Sequence, residues 1–175
     1  MSKKLYFSDS DSHSLSWYIV NGITRAISML PEKYKKTLSR RLFLKPDRKP
    51  LLELPQKMHA EKLDSPFGSI LLYTTGVGPT ILFVHGWSGA SSQFFPLMRQ
   101  IADQGYQCIA YDQIAHGESE GKEAHLPLFI KTKQWIKQHL EKKDQLAAIV
   151  AHSMGSVAAM HSVDKQVLML LIAPV

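Results

Sequence analysis

Apolar and polar positions divide the chain into a helical start and an alternating body. From Ser16, apolar residues fall at Ile19, Val20, Ile23, Ala26, Ile27 and Leu30, the three- and four-residue spacing of a helix face. Pro31 closes that helix and suits the first turn of a second, running through Tyr34 and Leu38. The polar residues 1–14 are expected to fray. Leu44 to Pro55 carries Pro46, Pro50 and Pro55 and reads as an extended connector. Short strands are expected at 57–63 and 69–74, joined through Ser65-Pro66-Phe67-Gly68. Beyond the turn at Gly76-Val77-Gly78-Pro79, the continuous apolar run Thr80–Val84 predicts a strand buried on both faces. Strands at 107–111, 146–150 and 167–173, the last also read as buried, alternate with helices at 91–104, 126–140 and 153–162. Gly105 suits the C-cap of the first of these helices. Such alternation predicts an α/β chain, with helices on both faces of a parallel sheet.

Composition narrows this little: 45% hydrophobic and 21% charged residues describe a globular chain with room for one sizeable core. Charge is more informative. Residues 1–50 hold eleven Lys+Arg against four Asp+Glu, and residues 51–175 hold ten against eleven. We therefore expect a basic, partly helical arm and connector over 1–50 and a near-neutral body over 51–175. The plain reading of the arm is a helical element packed on the body with a solvated basic face, not a membrane contact. The alternative is an amphipathic helix lying on a membrane, with Arg25 and the Lys35–Arg41 cluster toward lipid. A single cysteine, Cys108, excludes an intramolecular disulfide and sits among apolar neighbours. No apolar run approaches the ~18 residues of a membrane span, and Lys3-Lys4 is followed by Ser8-Asp9-Ser10-Asp11 rather than a signal sequence. A cytoplasmic location is expected.

The candidate chemistry centres on Ala147–Met160. An apolar run of strand length meets Ser153, and an Ala-rich helical stretch follows. A serine at a strand-to-helix turn is the arrangement of a nucleophile elbow, usually spelled G-x-S-x-G. Here it reads Ala151-His152-Ser153-Met154-Gly155, and alanine at the first position adds only a methyl where the turn is crowded. Two further motifs stand at expected strand ends: Val84-His85-Gly86-Trp87, and Asp112-Gln113-Ile114-Ala115-His116-Gly117-Glu118-Ser119. Together, from about Leu42 to Val175, these resemble the α/β-hydrolase superfamily. The resemblance implies an α/β-hydrolase-like three-layer sandwich with a mostly parallel sheet, truncated after about the sixth strand. It implies Ser153 as nucleophile and the backbone N–H groups of Trp87 and Met154 as oxyanion donors. His85, Gly86, His152 and Gly155 would support them, and the loop at 112–119 would be mainly structural. A small acyl substrate is implied, with no cofactor and no metal.

A serine hydroxyl needs a base within hydrogen-bond reach and a group that orients the base. In this family both follow the serine in sequence, and only 22 residues follow Ser153 here. His161 lies eight residues along the expected helix, about 12 Å from the serine. Asp164 also follows it without matching the acid's position. His152 is expected to point away, while His85 and His116 are expected to hold loops. No residue is assigned as acid or base, so the chain reads as the N-terminal part of a longer hydrolase, with little turnover of its own. The alternative is a non-catalytic interaction module that associates, with itself or a partner, through an exposed last strand and the basic arm. A nucleic-acid binder would rest on the arm's charge alone, without a recognition motif.

Overall fold

The computed structural model describes residues 15–49, 52–141, 146–161 and 167–174. The expectations for residues 1–14, Ser162 and Asp164 fall outside them. The chain divides into two compact units, Met1–Leu42 and Phe43–Val175.

Two helices account for the described part of the first unit. α1 spans Leu15–Ser28, and α2 spans Glu32–Leu44, its last two residues belonging to the second unit. Pro31 ends up just ahead of α2 rather than inside it. Its carbonyl accepts the N–H groups of Tyr34 and Lys35 at 2.9 and 3.2 Å, a role that needs no N–H of its own. No residue of either helix is buried.

The second unit opens with a hairpin, β1 (His59–Ser65) and β2 (Gly68–Thr75). Ser65 closes it, accepting the Phe67 N–H at 3.1 Å and donating to the Gly68 carbonyl at 2.6 Å. β3 (Thr80–Val84) is buried along its whole length, as its sequence predicts. The helix expected over 91–104 is instead a 3-10 turn, Ser91–Phe94, followed by α3 (Phe95–Ala102). Pro96 explains the break, because its ring fits the first turn of a helix but not its interior. Then come β4 (Gln107–Tyr111), α4 (Leu126–Glu141), β5 (Leu146–His152), α5 (Met154–Met160) and β6 (Leu168–Ile172).

The six strands form one sheet in the order β1-β2-β4-β3-β5-β6. β1, β2 and β4 pair antiparallel, whereas β4, β3, β5 and β6 run parallel. Alternate residues feed two cores, as the two-residue strand period requires. Leu82, Val84, Ile109, Tyr111, Ile149 and Ala151 join Phe129 and Ile136 of α4 and Ala158 of α5 on one face. Phe83, Cys108, Ala110 and Val150 meet Phe94, Phe95 and Met98 on the other. This is the expected α/β architecture, with helices on both faces of a mostly parallel sheet.

The last strand departs from the buried reading. Leu168, Leu170 and Ile172 are 73%, 55% and 38% exposed, while Met169 and Leu171 pack on the α4–α5 core. A continuous apolar run cannot distinguish a central strand from an edge strand. Among the described residues, no helix is long and apolar enough to cross a membrane.

Candidate functional site

β5 runs two residues past the expected Val150 and delivers Ser153 to a turn of unusual geometry. Ser153 has φ 51° and ψ −126°, a combination disfavoured for any residue with a side chain. Neighbouring bonds hold it there. Its N–H donates to the Ile172 carbonyl of β6 at 3.0 Å, and its own carbonyl accepts the Ser156 N–H at 2.8 Å. The buried Ser156 hydroxyl reaches back to the Ala151 carbonyl at 3.0 Å. Ala151 itself is fully buried, so the methyl that replaces the usual glycine hydrogen is accommodated in the core.

The two remaining glycines of the site are fixed by close approach. A Cβ on Gly155 would lie 2.5 Å from the carbonyl oxygens of both Val84 and His85, which seats the start of α5 directly on the end of β3. Gly86 faces Ser153 in the same way. The His85-Gly86-Trp87 loop and the serine turn thus meet. Met154 is the first residue of α5, where helix geometry leaves the N–H without an intrahelical acceptor. Trp87 is braced from behind: its ring stands edge-on to His116 at 5.5 Å and stacks on Phe129 of α4 at 6.4 Å.

The histidines near this turn are committed to the scaffold. His85 is fully buried. Its Nε2 accepts the Gln113 N–H at 2.9 Å, which puts the proton on Nδ1, 2.7 Å from the Gly86 carbonyl. Burial lowers its pKa, reinforced by the proximity of His152. His116 is also buried and places Nδ1 3.0 Å from the Ile114 carbonyl, while Nε2 has no hydrogen-bond partner. Burial, with His85 nearby, pushes its pKa down to about 4. Both rings are neutral near pH 7. His152 ends β5, immediately before the serine, and His161 caps the far end of α5. None of the four has been brought into a hydrogen bond with the Ser153 hydroxyl.

The loop after β4 is a structural knot. Asp112 accepts the Ser91 N–H at 2.7 Å, the Glu118 N–H at 2.9 Å and the Tyr73 hydroxyl at 3.3 Å. Ser119 bridges the Asp112 carbonyl and the Leu71 N–H at 2.7 and 2.8 Å. Gly117, at φ 44°, leaves no space for a Cβ beside the Asp112 carboxylate.

Sequence reasoning missed the strap that ties this knot to the connector. Arg48 donates to the carbonyls of Gly117, Ser119 and Gly121 at 2.6, 2.8 and 2.7 Å. The neighbouring Asp47 N–H donates to Ser88 Oγ at 3.0 Å, one residue beyond Trp87. One arginine among eleven basic residues in the first fifty carries no sequence mark of such a role. Cys108 is buried, and burial raises its thiol pKa to about 11. Among the described residues, no group of three or more His, Cys, Asp or Glu side chains is placed to hold a metal ion.

A family model described as the alpha/beta hydrolase fold matches residues 79–165. A proline iminopeptidase of Clostridioides difficile is 35% identical over 82 residues, 47% of this chain and 27% of that protein. One from Lactobacillus delbrueckii subsp. lactis is 29% identical over 96 residues, 51% and 33% of the respective chains. The chain therefore spans about a third or less of the length of these curated relatives. Among solved structures, a thioesterase domain from the curacin biosynthetic pathway is similar, with a TM-score of 0.54 and 26% identity over 59% of this chain and 38% of that one.

Proposed function

The chain belongs to the α/β-hydrolase superfamily, and from that premise we propose that Ser153 is the nucleophile of a serine hydrolase acting on an ester or related acyl bond. The backbone turn at Ser153, with φ 51° and Gly86 packed against it, carries this reading. Backbone strain of this kind costs on the order of 1–3 kcal/mol and concentrates at functional sites. In the proposed reaction the Ser153 hydroxyl gives its proton to a general base as its oxygen attacks the acyl carbonyl carbon, and the N–H groups of Trp87 and Met154 stabilise the resulting oxyanion. Collapse of that intermediate breaks the acyl bond and expels the leaving group with the proton returned by the base. Removing one such donor costs about 3 kcal/mol of transition-state stabilisation. Among the relatives, a peptidase and a thioesterase are both named for cleaving acyl bonds, in keeping with this reaction class.

The proposal includes the absence of a base. Among the described residues, His85 and His116 use their ring nitrogens on the scaffold or bury them, and no histidine bonds the Ser153 hydroxyl, so the reading takes neither the general base nor its acid from these residues. The chain by itself then has little turnover. The test is hydrolysis of p-nitrophenyl butyrate together with labelling by a fluorophosphonate probe, each compared with Ser153→Ala. We expect negligible turnover and slow labelling confined to Ser153. Sustained hydrolysis abolished by Ser153→Ala would refute the missing base, and labelling that persists in Ser153→Ala would refute the nucleophile.

A second reading rests on β6, where Leu168, Leu170 and Ile172 are exposed along one face of a strand whose described pairing is with β5 alone. A non-catalytic module self-associating through that edge would give a stable oligomer with no reactivity at Ser153.

A further inference from the structure

We propose that α1 and α2 form a docking surface for an anionic lipid membrane. In α1, Leu15, Ile19, Val20 and Ile23 fall within about 140° of the helix circumference at ~100° per residue. They are 78%, 54%, 62% and 54% exposed. A helix face this apolar ordinarily packs on something, yet no residue of α1 is buried. Trp17 and Tyr18, 44% and 59% exposed, lie together away from the arc, their rings in edge contact at 5.1 Å. The polar side of α1 is mostly uncharged, and two of its hydroxyls are satisfied within the helix. Thr24 donates to the Val20 carbonyl at 2.8 Å and Ser28 to the Arg25 carbonyl at 2.7 Å.

α2 supplies the charge. Lys33, Lys36 and Arg40 are spaced three and four residues apart and exposed along one face, with Tyr34 and Leu42 on the other. Residues 15–44 hold six Lys+Arg and one acidic residue, Glu32, itself 3.3 Å from Lys35. This charge decides between occupants. A second copy would bring two like-charged surfaces together, and a nucleic acid would leave the apolar arc of α1 in water. An anionic bilayer meets both features at once: the arc enters the headgroup–acyl boundary and the cations face the lipid phosphates. The inference is independent of any turnover at Ser153.

The full chain is tested by co-sedimentation with phosphatidylcholine vesicles, with and without roughly 30% phosphatidylglycerol, at about 0.1 M salt. We expect binding to the anionic vesicles and little to the neutral ones. The triple variant Lys33→Gln/Lys36→Gln/Arg40→Gln should weaken binding about a hundredfold, and Ile19→Asn/Ile23→Asn by at least about tenfold. All five positions are exposed or half-exposed, and far-UV circular dichroism verifies that both variants keep their helices. Absence of vesicle binding, or equal binding to neutral vesicles, would overturn the proposal. So would binding to duplex DNA as tight as to anionic vesicles and insensitive to the isoleucine substitutions. A dimer that dissociates in Ile19→Asn/Ile23→Asn, without vesicle binding by the parent chain, would assign the arc to self-association instead.

Discussion

A Cβ on Gly86 would lie 2.8 Å from the Cβ of Ser153 and 3.2 Å from its hydroxyl oxygen. The loop after β3 and the turn after β5 come from distant parts of the chain, yet they meet with room for a hydrogen atom and nothing larger. That contact brings the Trp87 segment beside the serine, and Gly155 repeats it against the carbonyls of Val84 and His85.

The two glycines should therefore respond differently to a methyl. Gly155→Ala meets rigid backbone at 2.5 Å on two sides, while Gly86→Ala meets the Ser153 side chain first and the His152 carbonyl at 3.0 Å. We expect Gly155→Ala to be the more damaging, and Gly86→Ala to cost about 1–3 kcal/mol. Adding Ser153→Gly should restore about 1 kcal/mol of the Gly86→Ala loss through coupling between the sites. Urea unfolding of the four members of that cycle measures the coupling. Simple additivity would show that the Gly86–Ser153 contact is not the source of the cost.

Ser153 sits at φ 51° and ψ −126°, where glycine is at ease and other residues are strained. Ser153→Gly should stabilise the chain by about 1 kcal/mol, the relieved strain exceeding the added freedom of the unfolded chain. Ser153→Ala keeps a Cβ in the same conformation and should be nearly neutral. Comparing the two urea midpoints separates backbone strain from loss of the hydroxyl. Equal midpoints would mean that the strain at the turn does no more than offset that added freedom.

Burial holds the pKa of His116 at about 4 in the folded chain, against about 6.5 in an unfolded one. Between these values the unfolded state binds more protons, so stability falls as pH drops. The penalty is absent above about pH 6.5, reaches about 2 kcal/mol near pH 5, and stops growing below about pH 4. His85, whose pKa is also lowered by burial, adds in the same direction. His116→Asn can still donate an amide hydrogen toward the Ile114 carbonyl but does not titrate. It should lose stability at pH 7 and flatten the decline between pH 7 and 5, read from urea titrations at each pH. An unchanged slope would place the acid sensitivity elsewhere.

Much of the body was legible because its strands are short apolar runs bounded by glycine, proline and polar residues. β3 and β4 fall at their expected limits, and the three motifs stand where expected, at the ends of β3, β4 and β5. Periodicity did not mark the helix break after β3, which belongs to the Pro96 ring and not to the apolar pattern, nor the exposure of Leu168 and Leu170 in β6, which depends on neighbours in space. The anchoring of His85 and His116 could be guessed from their motifs, but not their hydrogen-bond partners. Arg48 gave no signal, since its acceptors are backbone carbonyls that every residue carries.

That arginine supports the last prediction. Arg48 gathers the carbonyls of Gly117, Ser119 and Gly121 in one planar fork, and the same loop carries His116 against the Trp87 ring. Gly117 and Gly121 both adopt positive φ, at 44° and 105°, so the loop can follow other paths once the fork is removed. Hydrogen bonds from a charged donor contribute about 1.5–3 kcal/mol each when shielded. Arg48 is exposed over much of its surface, so Arg48→Ala should cost about 1–2 kcal/mol in total. Arg48→Lys should recover less than half of that, because a single ammonium cannot span three acceptors in one plane. Amide hydrogen exchange locates the effect. Protection should fall at Glu118, Ser119 and Glu120, whose N–H groups bond to Asp112, His116 and Ser69, while the β3 and β5 amides keep theirs. Loss of protection spread evenly over the sheet would mean that Arg48 contributes to overall stability and does not hold this loop in place.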